Sequence, residues 1–160
     1  MLDDLDRIMD VMAAAFDPAW GEAWNRRQVD DALAIGNCHY CLLTPQGLPV
    51  GEGDEAAGFS LSRTGYEEEE LLLLAVKPEY RRLGLGRTLL DALRLAASAR
   101  GANRLLLEMR KGNPAGFLYS GFGFYPIGER KEYYRLPNGE RIDAITFACD
   151  ICDKITANLP

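Results

Sequence analysis

The sequence holds one histidine, His39, among 160 residues. One imidazole leaves histidine-based metal sites and Ser-His-Asp triads little to work with, and His39 reads as a half-buried strand residue. No run of 18 apolar residues occurs, so no helix is expected to span a membrane. The acidic opening Met1-Leu2-Asp3-Asp4 lacks the basic-then-apolar layout of a secretory leader, and a cytoplasmic protein is expected. Basic residues are in deficit: 18 Lys and Arg against 24 Asp and Glu give a net charge of −6. Nucleic-acid binding draws much of its affinity from phosphate contacts, so the balance speaks against a nucleic-acid partner. It favours a cationic one, an amine or a basic peptide. The few cysteines fall into two pairs, Cys38-x-x-Cys41 and Cys149-x-x-Cys152. The spacing is that of zinc pairs, but both pairs lie in or beside apolar, strand-like stretches. Residues three apart on a strand point to opposite faces, so no metal site is expected.

What is present fits one α+β domain over residues 1–160 with a mixed sheet. Leu5, Ile8, Met9, Met12 and Phe16 recur at helical spacing over 3–16, and Pro18 ends that helix. After a loop with Trp20 and Trp24 comes a second helix, about 25–35, stopped by Gly36. Strands follow at Cys38–Leu43, Ala56–Arg63 and Glu67–Val76. The last has a continuously apolar core, Leu71–Val76, which predicts burial on both faces. A helix over 85–100 stops at Gly101, and Arg104–Met109 is a further strand. A short helix starts near Pro114 and runs to about Gly121. Phe122–Ile127 and Asp143–Ile151 close the sheet around the turn Pro137-Asn138-Gly139.

The segment Leu74-Ala75-Val76-Lys77-Pro78-Glu79-Tyr80-Arg81-Arg82-Leu83-Gly84-Leu85-Gly86-Arg87 carries the chemistry. A strand turns into a basic loop that opens a helix. Helix N-termini present unpaired N–H groups with partial positive charge. Gly84 and Gly86 let that backbone approach a ligand, and Arg81, Arg82 and Arg87 add countercharge. Together they make a pyrophosphate cradle. Neither a Walker loop nor the dinucleotide fingerprint is present. An incidental glycine-rich helix cap with surface arginines is the alternative.

Arg81-x-x-Gly84-x-Gly86 after a strand ending Val-x-Pro resembles the acetyl-coenzyme A signature of the GNAT superfamily. Leu107-Glu108-Met109-Arg110, Asn113 and Leu118-Tyr119-x-x-x-Gly123-Phe124 resemble its second cofactor motif. The tail, Arg130-x-x-Tyr133-Tyr134 with Gly139-Glu140-x-x-Asp143-Ala144, resembles the members that acetylate protein N-termini, including those acting on the terminal alanine of a ribosomal protein; a member acting on a small amine (amino acid, polyamine or aminoglycoside), or a CoA-binding protein without catalysis, is the alternative. The likeness is good over 56–150 and loose before it. It implies a largely antiparallel sheet flanked by about four helices, with a splayed strand pair forming the cofactor cleft.

The resemblance also implies acetyl-CoA as cosubstrate. Leu74, Ala75 and Val76 would meet its pantetheine amides. Arg81, Arg82, Leu83, Gly84, Leu85, Gly86, Arg87 and Thr88 would hold its pyrophosphate, and Asn113 and Tyr119 its arm. Glu108 takes the place of the general base and Tyr119 that of the general acid. Trp20, Tyr133 and Tyr134 would wall the acceptor slot. Each assignment has a bland alternative: Glu108 could pair with Arg104 or Arg110, Tyr119 could be a core tyrosine, and Tyr133 and Tyr134 could be edge-strand packing. The spacing from Asn113 to Tyr119 is one residue shorter than the superfamily's, with Pro114 and Gly116 where helix formers are usual. Glu67–Glu70 reads either as a solvated hairpin end or as a field for a basic peptide.

Overall fold

The computed structural model describes residues 3–151. Their helices begin where side chains can satisfy orphan backbone donors. Asp3 and Asp6 form a reciprocal capping box at the start of α1, Asp4–Ala15, and Asn25 and Gln28 do the same for α2, Arg26–Ile35. Gly36, left-handed with φ +94°, ends α2. α1 stops at Ala15, and Pro18 instead opens a 3-10 turn, Pro18–Trp20. α3 spans Leu85–Ala99 and buries Leu89, Leu90 and Leu93 along one stripe. α4, Gly116–Phe122, starts later than its composition predicts and takes in Phe122, which was expected in a strand.

The strands are β1 Cys38–Leu43, β2 Gly58–Thr64, β3 Glu68–Val76, β4 Arg104–Arg110, β5 Tyr125–Arg135 and β6 Arg141–Asp150. They form one open sheet in the order β1-β2-β3-β4-β6-β5, with helices on both faces. Only β3 and β4 run parallel. β5 runs to Arg135, beyond the expected Ile127. As an edge strand, exposed along almost all its length, it shows no apolar alternation to read. No helix among the described residues is long and apolar enough to cross a membrane.

β3 is buried in an unexpected way. Its register with β2 jumps between Leu61↔Leu73 and Ser62↔Leu71, so Leu72 is an extra, bulged residue. The bulge swaps the faces of the strand. Leu71 packs toward α3, whereas Leu73 and Ala75 pack toward α1 and α2. A run that would serve two faces unequally therefore reads as continuously apolar. It is not buried on both faces throughout: Leu72, Leu74 and Val76 are half-buried.

β3 and β4 pair only from Glu68–Leu71 against Arg104–Leu107, then part. At the closed end of this split lies Glu69, with no solvent exposure. Its carboxylate accepts from Arg100 Nε (2.8 Å), Arg100 Nη2 (2.6 Å) and Ser62 Oγ (2.7 Å). Burial alone would raise the carboxyl's pKa; the hydrogen bonds from Arg100 and Ser62 outweigh it and hold the group below its ordinary value. Glu68 pairs with Arg104 and Glu70 with Arg63. These three carboxylates are thus engaged within the fold.

Removing one partner of a buried pair leaves an uncompensated charge. Arg100→Leu is expected to cost about 3 kcal/mol in urea unfolding, and Glu69→Leu added to it to restore most of the loss. In the wild type this carboxylate stabilises the fold at neutral pH, and the contribution fades as pH falls below the ordinary carboxyl pKa of about 4.3. In Arg100→Leu burial raises the carboxyl, so the sign inverts and the contribution is lost as pH rises.

Candidate active site

The split opens into a cleft of about 1230 Å³. Its walls are β3 from Leu71 to Val76, β4 from Leu107 to Arg110, the start of α3, the near side of α4 and the loop around Trp20. Backbone direction sets what β3 offers. Lys77 N–H donates to Ala57 O on the β2 side, at 2.8 Å. Strand groups alternate, so the N–H and C=O of Leu74 and Val76 face the split.

The basic loop builds a cradle at the cleft's far end. Arg82 (φ +64°) and Gly84 (φ +81°) are both left-handed, which curls the loop into α3. Thr88 returns its N–H and its hydroxyl to Gly84 O, both at 3.0 Å. The N–H groups of Leu85, Gly86 and Arg87 then have no carbonyl within the helix. A Cβ at Gly86 would sit 2.9 Å from Leu118 Cδ2, so glycine lets α4 close on α3 here. Arg82 and Arg87 line the cleft and are exposed. Arg81 lines it too, but its guanidinium is engaged elsewhere: Nε donates to Val76 O (3.0 Å) and Nη2 to Ala15 O (2.9 Å). It ties the strand exit to α1 and is not free countercharge. Leu83 and Thr88 lie off the cleft wall. Buried Lys77 fastens the same corner through Asp10 (2.6 Å) and Glu55 (3.1 Å).

Glu108, on β4, accepts from Thr146 Oγ1 (3.0 Å) and pairs with Arg130 (3.3 Å). Neither Arg104 nor Arg110 is its partner. Tyr119, on α4, lines the cleft, is more than nine-tenths buried, and packs edge-on to Phe124 at 5.7 Å. Burial, with the charge of Glu22 behind it, pushes its hydroxyl up to about 12. Tyr134 also lines the cleft and is pushed up to about 12 by burial first and then by Glu108. Tyr133 does not line it; half exposed, it packs edge-on to Tyr134 and under Arg130. Asn113 lines the cleft, yet its Oδ1 accepts from Ala115 N–H (3.0 Å) and its carbonyl from Gly116 N–H (3.0 Å). It thus shapes the shortened entry to α4.

Glu22 escaped the sequence reading, and Arg110, read there only within the second motif and as a possible partner of Glu108, has another task. Arg110 lies 3.7 Å over the Trp20 ring and donates to Glu22 at 2.8 Å, with only a tenth of its side chain exposed. This contact joins positions 88 apart and pins the Trp20 loop to the end of β4. No local periodicity signals it. Trp24 lines the cleft and also packs on the α1–α2 side of the core. His39 lies half-buried on β1 with Nε2 2.8 Å from Thr64 Oγ1. Cys38 and Cys41 are half-buried on β1 and Cys149 is buried on β6; Cys152 lies outside the described residues. No group of three metal-ligating side chains occurs among the described residues.

The fold and cleft define a transferase-like site: an anion cradle, a strand edge that can pair with amides, and a carboxylate and a tyrosine facing one space. The chain belongs to the acetyltransferase (GNAT) family, which matches residues 5–124. It is 37% identical over 102 residues to a [ribosomal protein bS18]-alanine N-acetyltransferase of Haemophilus influenzae, covering 64% of this chain and 70% of that one. It is 31% identical over 141 residues to a putative enzyme of the same name from Bacillus subtilis, covering 87% and 85%. The crystal structure of the ribosomal-protein-S18-alanine N-acetyltransferase from Escherichia coli superposes with a TM-score of 0.73 at 28% identity, over 94% of this chain and 90% of that one. The family's acetyl donor is acetyl-CoA. The residues present fit it: the open N–H groups of α3 with Arg82 and Arg87 suit a pyrophosphate, and the edge of β3 suits the pantetheine amides.

Loss of the Arg110 clamp should loosen the Trp20 loop selectively. In Arg110→Leu, hydrogen exchange at the Trp20 and Gly21 amides is expected to rise by about tenfold or more, while amides within α3 keep their protection. Equal protection at both loop amides would show that the loop stands without the clamp.

Proposed function

We propose that this enzyme transfers acetyl from acetyl-CoA to the N-terminal α-amine of a protein, with the terminal alanine of a ribosomal protein as the model acceptor. Transfer is by direct attack in a ternary complex in the cytoplasm. The observation that carries this reading is the convergence of Glu108, Tyr119 and the open edge of β3 on one cleft. The names of the relatives support the acceptor class. So does a slot walled by Trp20 and Tyr134, with the carboxylates of Glu22 and Glu108 lining it.

The donor supplies an activated acyl group and a thiolate leaving group. An α-ammonium, with a reference pKa near 8, must lose a proton before it attacks. Glu108, held by Thr146, accepts that proton directly or through water. The N–H of Val76 faces the split and donates to the acyl oxygen as it becomes negative. Arg81 assists by occupying the Val76 carbonyl, which otherwise would present negative dipole to the same space. The Tyr119 hydroxyl, held up at about 12, keeps its proton through the neutral range and donates it to the departing sulfur, and the second proton leaving the attacking nitrogen returns to the Tyr119 oxygen through water. Arg82, Arg87 and the helix start bind the pyrophosphate, while Arg81, Leu83 and Thr88 shape the loop around it. Asn113 positions the start of α4 beside the donor's arm.

Thiol release with a small acceptor panel tests the reading. Peptides beginning Ala-Arg or Ser-Arg should turn over, whereas the same peptides blocked at the α-amine, free lysine and spermidine should not. Turnover of the small amines alone would overturn the protein-acceptor reading. Glu108→Gln and Tyr119→Phe should each lower kcat by roughly 100-fold or more with acetyl-CoA affinity changed less than about threefold. The rate should show no loss attributable to Tyr119 below about pH 10, given its raised pKa.

A further inference from the structure

The carboxylate of Glu108 is held asymmetrically. Thr146 Oγ1 donates to its Oε2 at 3.0 Å, and Arg130 Nε stands 3.3 Å from the same oxygen. Oε1 has no partner among the described residues. Strand register brings both groups to one atom. Glu108 on β4 lies opposite Thr146 on β6; Ala144, two residues before Thr146, lies opposite Arg130 on β5. Opposed and alternate residues share a face of a sheet, so Glu108, Thr146 and Arg130 stand on the same side. Gly128, opposite Thr146 on β5, puts no side chain between them.

Immediately beyond Arg130 the edge strand bulges. Arg130 pairs with Ala144 and Tyr134 with Ile142, so Lys131–Tyr133 face Asp143 alone. Glu132 takes a left-handed φ of +51° and donates its N–H to Asp143 Oδ1 at 2.8 Å, which pins the bulge. A non-glycine residue keeps such a backbone only where its surroundings hold it there. The neighbours of Arg130, Glu129 and Lys131, pair with each other at 3.2 Å. Among the described residues this leaves Glu108 as the one ion-pair partner of Arg130. Arg130 does not line the cleft, and its side chain is 60% exposed. Its route to the reaction is therefore through Glu108.

We propose that Arg130 is a positioning residue for the transfer: with Thr146 it ties Oε2 of Glu108, so that Oε1 is the oxygen that meets the acceptor amine. This rests on Glu108 as the proton acceptor, as read above. A proton passes from the ammonium to Oε1 and leaves the nitrogen its lone pair for attack. A glutamate side chain samples several rotamers, and a base works only within hydrogen-bond reach of the proton it takes. Two ties on one oxygen restrict that sampling and leave the other oxygen unencumbered. A pair with so exposed a cation adds little to stability; what it supplies is orientation.

Steady-state thiol release with a peptide beginning Ala-Arg tests this on the full chain as wild type, Arg130→Gln, Arg130→Lys, Glu108→Gln and the Arg130→Gln, Glu108→Gln double variant. An unchanged thermal midpoint verifies that each variant is folded. Arg130→Gln should lower kcat about 5- to 50-fold, part of what a positioned base supplies, with acceptor KM and acetyl-CoA affinity within about twofold. Arg130→Lys, which keeps a cation there, should recover most of that loss. In the Glu108→Gln background, Arg130→Gln should cost less than about twofold more, because its effect runs through the carboxylate. Unchanged kcat in Arg130→Gln would overturn the proposal. So would losses that multiply in the double variant, or a change confined to KM, which would make Arg130 an acceptor contact. If the wild type turned no peptide over, or Glu108→Gln kept full activity, the reading above would fail first and this inference with it.

Discussion

The parting of β3 from β4 is the constraint on which the rest of the molecule depends. Two parallel strands that pair for four residues and then separate leave backbone groups without partners, a condition a buried sheet does not ordinarily tolerate. The fold controls where the separation starts and how it is used. At the closed end, Glu69 is fully buried and bound to Arg100 and Ser62, which ties β3 to β2 and to the end of α3. One turn of pleat further on, the bulge at Leu72 swaps the faces of the strand. Below the bulge β3 packs on α3; above it, the same strand packs on α1 and α2 and leaves its edge to the cleft. The N–H and C=O of Leu74 and the N–H of Val76 are thus left facing the cleft, where the amides of the proposed donor would complete the sheet.

Charge is distributed to keep that cleft selective. Three arginines that a count of positive residues would assign to an anion have other tasks. Arg81 holds the Val76 and Ala15 carbonyls, Arg110 holds Glu22 and the Trp20 ring, and Arg100 neutralises Glu69. Arg82, the unpaired N–H groups of α3 and Arg87, which also pairs with Asp91 at 3.7 Å, are the positive groups left at that end of the cleft. At the other end the cleft presents Glu22 and Glu108 with two high-pKa tyrosines, Tyr119 and Tyr134. Both carboxylates are ion-paired, Glu22 with Arg110 and Glu108 with Arg130, so that end of the cleft carries balanced charge.

Much of this was legible in the chain. β1 was read residue for residue, because a short apolar run between Gly36 and a Pro-Gln-Gly turn has little freedom. The turn from β3 through the basic loop into α3 was legible because loop, glycines and helix start are contiguous. What resisted was long-range or compensated. The Leu71–Val76 run looks doubly buried because a bulge hides inside it. Glu69 sits in an acidic run that reads as a solvated hairpin end or a field for a peptide, yet its partner lies 31 residues away at the C-cap of α3. Arg81 carries the family's signature position but is engaged by carbonyls that only the folded chain brings near. Tyr133 and Tyr134 point to opposite faces of β5, and the register shift between Arg130 and Tyr134 hides from the sequence which of the two meets the cleft. β5 itself, polar along an edge, offers no period to count.

The unpaired edge of β3 and the start of α3 are proposed to hold the acetyl donor. Amide hydrogen exchange of the full chain with and without saturating acetyl-CoA tests it most directly. The account predicts that acetyl-CoA slows exchange at Leu74 and Val76 and at Leu85, Gly86 and Arg87, with little change in β1 or β5. Binding without protection at those five amides would contradict it, because the donor would then lie elsewhere and the split between the strands would need another explanation.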